Sequence, residues 1–215
     1  MQVEVKVCGL TRAADAQAAA RLGARYLGVI FAGGPRTLDP ESARSVLDGG
    51  GASVDRVGVF GNADTKHIAA AVAQAKLDIV QLHADPGAEQ VRAVREESGA
   101  RVWAVVRVDG PLDPAELREL WHAADALVLD SKVKGVLGGS GIAFDWREAE
   151  QATRARPGRL VAAGGLTAAN VAEAIERLAP DVVDVSSGVE SSPGIKDHAH
   201  MADFIAAVRR TGVLR

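Results

Sequence analysis

The feature that most constrains this chain is a repeated alternation of two kinds of segment. Short β-branched runs give way to Ala/Glu/Arg-rich stretches eight times over, with Gly, Asn or Asp at many of the joints. β-Branched residues suit a pleated strand, and Ala, Glu and Arg are good helix formers. Strands that alternate with helices pair in parallel, because each helix carries the chain back across the sheet. The runs are Val3–Val7, Tyr26–Phe31, Val57–Phe60, Ile79–His83, Val102–Arg107, Ala126–Asp130, Leu160–Ala163 and Val182–Ser186. The helical stretches lie near 11–23, 40–48, 64–76, 86–98, 113–123, 145–156, 167–179 and 199–210. Asp64 or Thr65 is expected to cap the third helix, Pro86 to sit in the first turn of the fourth, Asp113-Pro114 to open the fifth and Thr167 to cap the seventh. No linker or low-complexity tract divides the units. They predict a single α/β domain over residues 1–215, a (β/α)8 TIM barrel, in preference to a doubly wound open sheet.

Composition narrows the function classes. The 25 Lys+Arg against 28 Asp+Glu leave a net charge of -3, which makes no electrostatic case for a nucleic-acid or anionic-membrane partner. No apolar run is long enough to span a bilayer, and the first residues lack the pattern of an export signal. A cytoplasmic location is therefore expected, in keeping with a single cysteine. That lone Cys8 forms no internal disulfide and supplies no cysteine cluster for a metal; no metal site is expected.

Strand parity then selects a polar set. Glu4, Lys6 and Cys8 share one face of the first strand and Val3, Val5 and Val7 the other. The valines are expected against helices and the polar set inside the barrel. By the same parity Gln81 goes with His83, Val128 with Asp130, and Asp184 with Ser186. Polar residues toward the C-terminal ends of several strands converge on the mouth where active sites of this fold lie. A buried Lys6 needs a carboxylate. Glu4 is one candidate, and Asp184 is the better one, because the eighth strand neighbours the first in a closed barrel.

Three glycine-containing turns follow late strands: Gly138-Gly139-Ser140-Gly141, Ala163-Gly164-Gly165-Leu166 and Ser186-Ser187-Gly188-Val189. Glycine lets backbone amides approach an anion closely, and phosphate sites of barrels lie after strands seven and eight. Gly139, Ser140, Gly164, Gly165, Ser186, Ser187 and Gly188 are thus candidate phosphate-binding residues. The connection Ser131–Ile142, with Lys132 and Lys134, is long for this kind of joint and is a candidate loop to close over a substrate.

These segments together resemble the phosphoribosylanthranilate isomerases of tryptophan biosynthesis. The resemblance is carried by Lys6-Val7-Cys8-Gly9-Leu10-Thr11, Pro35-Arg36, Gly58-Val59-Phe60-Gly61-Asn62, Val80-Gln81-Leu82-His83 and Leu129-Asp130. Further along it is carried by Gly138-Gly139-Ser140-Gly141, Phe144-Asp145-Trp146, Ala163-Gly164-Gly165-Leu166, Asp184-Val185-Ser186-Ser187-Gly188-Val189-Glu190 and Pro193-Gly194-Ile195-Lys196-Asp197. It implies an Amadori rearrangement of N-(5-phosphoribosyl)anthranilate to 1-(2-carboxyphenylamino)-1-deoxyribulose 5-phosphate, with no cofactor and a small phosphosugar as partner. It also implies Asp130 as general acid, Cys8 as general base and Arg36 as the holder of the anthranilate carboxylate. Lys6 and Asp184 join the substrate-binding set. His83 either lines the site or is hydrogen-bonded at the barrel rim. His198 and His200 read as surface residues.

The acid needs a raised pKa and the thiol a lowered one. Lys6, or the amides of a first helix capped near Thr11, are the candidate sources of positive potential for Cys8. Two positions depart from the family's usual pattern: Gly34 stands where Ser precedes Pro-Arg, which gives that loop more freedom, and Ala84 stands where a glycine follows the histidine. Two other readings remain, another phosphosugar barrel enzyme and a catalytically silent phosphate-binding barrel. The chain is compatible with a monomer or a homodimer.

Overall fold

The computed structural model describes residues 2–108, 110, 112–131, 146–154 and 156–212. Eight parallel strands close into a barrel: β1 Glu4–Val7, β2 Tyr26–Ile30, β3 Asp55–Phe60, β4 Ile79–Leu82, β5 Arg101–Val108, β6 Ala126–Ser131, β7 Arg159–Ala162 and β8 Val182–Val185. The helices α1 Ala13–Leu22, α2 Pro40–Asp48, α3 Thr65–Ala75, α4 Ala88–Ser98, α5 Pro114–Ala123, α6 Trp146–Thr153 and α7 Val171–Leu178 each follow the strand of the same number. After β8 come a 3-10 turn at Ser187–Val189 and a small hairpin, β9 Glu190–Ser192 with β10 Ile195–Lys196. Helix α8, His198–Thr211, completes the chain.

Period-two alternation sorts the strand residues into two cores. Val5, Val7, Leu27, Leu82, Leu127 and Leu129 point outward and pack with helix residues such as Ala19, Leu47, Ile68 and Val91. Tyr26, Val57, Ile79, Trp103, Val128, Val161 and Val182 point inward and fill the lower barrel, where the Tyr26 and Trp103 rings meet edge-on at 5.0 Å. Two residues further along the same inward rows stand Gly28, Val59, Gln81, Asp130 and Asp184. The interior thus turns polar toward the C-terminal ends of the strands, as parity requires.

Helix starts are written locally for four helices. Asp39, Asp64, Asp113 and Asp197 accept hydrogen bonds from first-turn amides of α2, α3, α5 and α8, with Pro40 and Pro114 in first-turn positions. Three expectations at helix starts are corrected. Pro86 lies outside α4, which starts at Ala88 after Gly87. Thr167 does not cap α7; it opens a preceding turn, its amide bonded to Asn170 Oδ1 at 2.7 Å, and the helix begins at Val171. Thr11 does not cap α1 either: the N-cap position falls on Arg12, one residue later, and the Thr11 hydroxyl donates to the carbonyl of Gly194.

Candidate active site

Closure of the barrel sets the floor of the site. The β1–β8 register places Lys6 opposite Asp184, and Lys6 Nζ donates to Asp184 Oδ2 at 2.7 Å. Lys6 is wholly buried. Glu4, the other candidate partner, instead accepts from the Tyr26 hydroxyl at 2.9 Å and pairs with Arg159. Gly28, on the inward row of β2, makes room above Lys6: a Cβ there would come 2.9 Å from Cys8 Sγ and 3.2 Å from Lys6 Cε.

Above this floor a cavity of about 400 Å3 opens at the mouth. Cys8, Arg36, His83, Asp130 and Asp184 line it from five different strand ends, and Gly164, Gly165, Ser186, Ser187 and Gly188 line it from the turns after β7 and β8. Lys6 is not in that lining; it sits beneath, where it supports Asp184 and Cys8. Gly139 and Ser140, with the rest of the expected closing loop beyond Ser131, lie outside the described residues.

The two titratable groups expected to do chemistry behave differently. Burial, with the negative charge of Asp184 adding to it, pushes Asp130 up to about 6 from an ordinary 3.8. Its Oδ1 accepts from the Ser131 amide at 2.8 Å, and its Oδ2 lies 3.4 Å from His83 Nε2. His83 is not a cation there: burial, aided by Lys6 and Arg107, brings it down to about 4. The His83–Asp130 contact is therefore a polar contact with a neutral imidazole, longer than a good hydrogen bond.

Cys8 departs from expectation. Its thiol is raised, not lowered, because burial outweighs the downward pull of Lys6, and Asp184 adds to the rise. Lys6 is the principal group that lowers it, through both its charge and a side-chain hydrogen bond.

Arg36 reaches the cavity in a form that sequence alone did not foresee. Its Nε and Nη2 make a two-pronged pair with Glu190 Oε1 and Oε2, at 2.8 and 2.6 Å. Lys196 Nζ also donates to Glu190 Oε1, at 2.7 Å.

The turns after β7 and β8 are built for close approach. Gly164 has φ +82°, a left-handed backbone that only glycine adopts without strain, and a Cβ on it would come 2.6 Å from the Ser131 amide nitrogen. Among the described residues the amides of Gly164 and Gly165 take no backbone carbonyl. A Cβ on Gly188 would come 2.0 Å from the Leu166 carbonyl, so the two turns are pressed together. Among the described residues no three His, Cys, Asp or Glu side chains are grouped to hold a metal ion.

A family model described as N-(5'phosphoribosyl)anthranilate (PRA) isomerase matches residues 5–207. The chain belongs to this family. Similar members include the N-(5'-phosphoribosyl)anthranilate isomerase of Acidithiobacillus ferrooxidans, 43% identical over 97% of this chain and 98% of that protein. That of Magnetococcus marinus is 42% identical over 98% of this chain and 97% of its own length. Among solved structures, the phosphoribosyl anthranilate isomerase of Thermus thermophilus superposes with a TM-score of 0.86 at 33% identity, covering 99% of this chain and all of its own. A further phosphoribosyl anthranilate isomerase, in complex with reduced 1-(o-carboxyphenylamino)-1-deoxyribulose 5-phosphate, superposes with a TM-score of 0.82 at 32% identity, over 97% of this chain and all of its own.

Against that family frame, four residues of the site region escaped the sequence reading as functional candidates. Gln81 lines the cavity with its buried Oε1 unpartnered among the described residues; parity had put it beside His83 and was the available signal. Glu190 and Lys196 sit in motifs that carried the resemblance, but each lies in a strand of only two or three residues, β9 and β10, too short for a period to be read from the sequence. Asp15 is fully buried in α1 and is held below the usual carboxylate range. Burial opposes that lowering, and bonds from Arg12, the Lys196 amide and His198 overcome it. His198 is half exposed and lies 2.9 Å from Asp15, while His200 is exposed.

Proposed function

We propose that this chain is the isomerase that converts N-(5-phosphoribosyl)anthranilate to 1-(2-carboxyphenylamino)-1-deoxyribulose 5-phosphate in tryptophan biosynthesis. The observation that carries the reading is a carboxyl of raised pKa and a thiol lining one cavity, with glycine turns on its rim.

In this reading Asp130 is the general acid. A carboxyl at about 6 is protonated in part near neutrality and can give its proton to the ring oxygen of the sugar. The bond from that oxygen to carbon 1 breaks as the anthranilate nitrogen lone pair forms a C=N bond. Cys8, as thiolate, then takes the proton from carbon 2, and the electron pair of that C–H bond moves toward nitrogen. The resulting enol tautomerises to the ketose, so no atom is gained or lost. Because the thiol is raised, only a small fraction is thiolate at neutral pH. Lys6 is the group that keeps that fraction from being smaller still.

Arg36 is assigned to the anthranilate carboxylate, with His83 and Asp184 as further contacts to the substrate and Lys6 beneath them. The phosphate is assigned to Gly164, Gly165, Ser186, Ser187 and Gly188, joined by Gly139 and Ser140. A small phosphosugar is the partner, with no cofactor, no metal and no nucleic acid. A cytoplasmic location goes with this reading; among the described residues no helix is long and apolar enough to cross a membrane. Monomer and homodimer both fit it, and a relative from Thermotoga maritima is described as dimeric.

The test is the loss of phosphoribosylanthranilate fluorescence on adding the protein. Cys8→Ala and Asp130→Asn are each expected to lower turnover by about 100-fold to 10,000-fold while the fold survives. Near-wild-type turnover in either folded variant removes the role given to that residue.

A further inference from the structure

The orientation of the Arg36 guanidinium is not set by its own loop alone. Gly33 and Gly34, three and two residues before it, have φ +86° and +92°, and nothing lies within 4 Å of where their Cβ atoms would stand. The loop's own bonds, from the Thr37 amide to the Gly34 carbonyl and from the Leu38 amide to the Ile30 carbonyl, hold main chain and leave the guanidinium to be placed by other groups. Yet the Arg36 side chain is only 14% exposed. It lies over Gly9, where a Cβ would come 2.7 Å from Arg36 Cδ.

The restraint comes from the far end of the chain. The Glu190 carboxylate grips Nε and Nη2 of Arg36 in fork geometry, the form in which a carboxylate fixes a guanidinium in both distance and plane. Glu190 is itself immobilised. Lys196 Nζ bonds its Oε1 and also the Ser186 carbonyl, at 3.0 Å, and the Gly194 amide reaches the same Oε1 at 3.3 Å. The Lys196 main chain is tied to buried Asp15 in α1, at 3.1 Å. A rigid path therefore runs from α1 through the β9–β10 hairpin to the guanidinium.

The charges around it have a sign that suits an anion. One carboxylate is shared by two cations, Arg36 and Lys196, which leaves a net charge of +1 at the edge of the cavity. Of the five N–H groups of Arg36, two are committed to Glu190 and three remain for a second carboxylate.

We propose that Glu190 is a positioning residue that orients Arg36 so that its remaining N–H groups meet the aryl carboxylate of the substrate. The proposal rests on the assignment of Arg36 given above. Because Glu190 touches neither reacting carbon nor transferred proton, its loss weakens binding of the carboxylate and leaves the chemical step in place. The effect must also pass through Arg36.

Steady-state kinetics of Glu190→Gln, Arg36→Met and the double variant test this, with thermal unfolding as the control for folding. Glu190→Gln is expected to raise KM about tenfold or more while kcat stays within about threefold of wild type, the pattern of lost uniform binding. In the Arg36→Met background the same change is expected to add less than about twofold, since its target is gone. Glu190→Asp keeps the charge beside Lys196 but withdraws the carboxylate by one methylene. It carries the same test if the glutamine variant fails to fold, with an expected rise in KM of about threefold. A raised KM in Arg36→Met with wild-type KM in the Glu190 variants overturns the proposal alone, as does a Glu190 effect that is equally large without Arg36. Wild-type KM in Arg36→Met overturns the assignment of Arg36, and the proposal with it.

Discussion

Burial on the inward face of β6 holds the Asp130 carboxyl at about 6, and the same burial has a consequence for stability. The sign depends on which state binds the proton more tightly. The folded carboxyl titrates near 6 and the unfolded one near its ordinary 3.8, so folding is penalised as pH rises from about 4 through 6. At 1.36 kcal/mol per pH unit the penalty reaches about 3 kcal/mol above pH 6. Asp130→Asn removes the charge and keeps the shape. It is expected to be more stable than wild type by about 2–3 kcal/mol at pH 8 and by less than about 1 kcal/mol at pH 4. Urea unfolding at the two pH values checks this, and a variant less stable than wild type at pH 8 contradicts the origin given for the raised pKa. In the proposed mechanism it is the protonated form of this carboxyl that acts, and the same burial that costs stability supplies it. The resemblance led to Asp130, and the expected rise of its pKa is met, with burial as the main cause. For Cys8 the resemblance pointed to the thiol, but the expected lowering of its pKa was not met, because the same buried floor that supplies Lys6 also withholds water from the thiol.

At the scale of the element, the seam between β1 and β8 carries a buried ion pair across the point where the barrel closes. Lys6 and Asp184 lie opposite each other in the parallel register, with relative side-chain exposures of 0% and 8%. Asp184 Oδ1 has no hydrogen-bond partner among the described residues, so the carboxylate depends on Lys6 for its compensation. Removing one partner of such a pair leaves an unpaired buried charge, which typically costs about 3–5 kcal/mol. Lys6→Met is expected to lose about that much, and Lys6→Met with Asp184→Asn to recover at least about half of it, because the neutral amide no longer needs a cation. Denaturant unfolding of the two variants decides. Equal destabilisation of both would mean that Lys6 matters through packing alone. Lys6 also lowers the Cys8 thiol, so the double variant is expected to stay poorly active even where its stability returns.

For the whole molecule, the cavity is shared among strand ends that are remote in sequence. It is lined by residues that follow β1, β2, β4, β7 and β8 together with Asp130 of β6. A ligand that contacts all of these is bound by the closed barrel and not by the unfolded chain. If the proposed function holds, reduced 1-(o-carboxyphenylamino)-1-deoxyribulose 5-phosphate, the ligand in a relative's complex, is expected to stabilise the fold by about 2.7 kcal/mol at a hundredfold excess over its Kd. The gain should shrink in Arg36→Met at the same ligand concentration. Thermal unfolding with and without the analogue measures it, and an unchanged midpoint in the wild-type protein contradicts the assignment of the cavity.

The alternation of β-branched and helix-forming segments was enough to determine eight strand–helix units and to favour a barrel over an open sheet, and the structure closes it. Period-two parity was enough to determine which residues face inward. Those two facts together made Lys6 and Asp184 neighbours, although 178 positions separate them, because closure brings β1 to β8 and the register does the rest. The Arg36–Glu190 pair, 154 positions apart, was not legible in the same way. Glu190 stands beyond the end of β8, after a short 3-10 turn, at the start of the three-residue strand β9, which is too short to show a period in the sequence that would say where its side chain points. The same limit explains Thr11, whose hydroxyl stands at the usual start of a helix in sequence but finds its acceptor 183 positions away. Backbone periodicity is a local property and can be read from the chain. Which polar groups meet where that periodicity stops, and how far burial moves their pKa values, is decided only when distant segments are packed together and water is excluded.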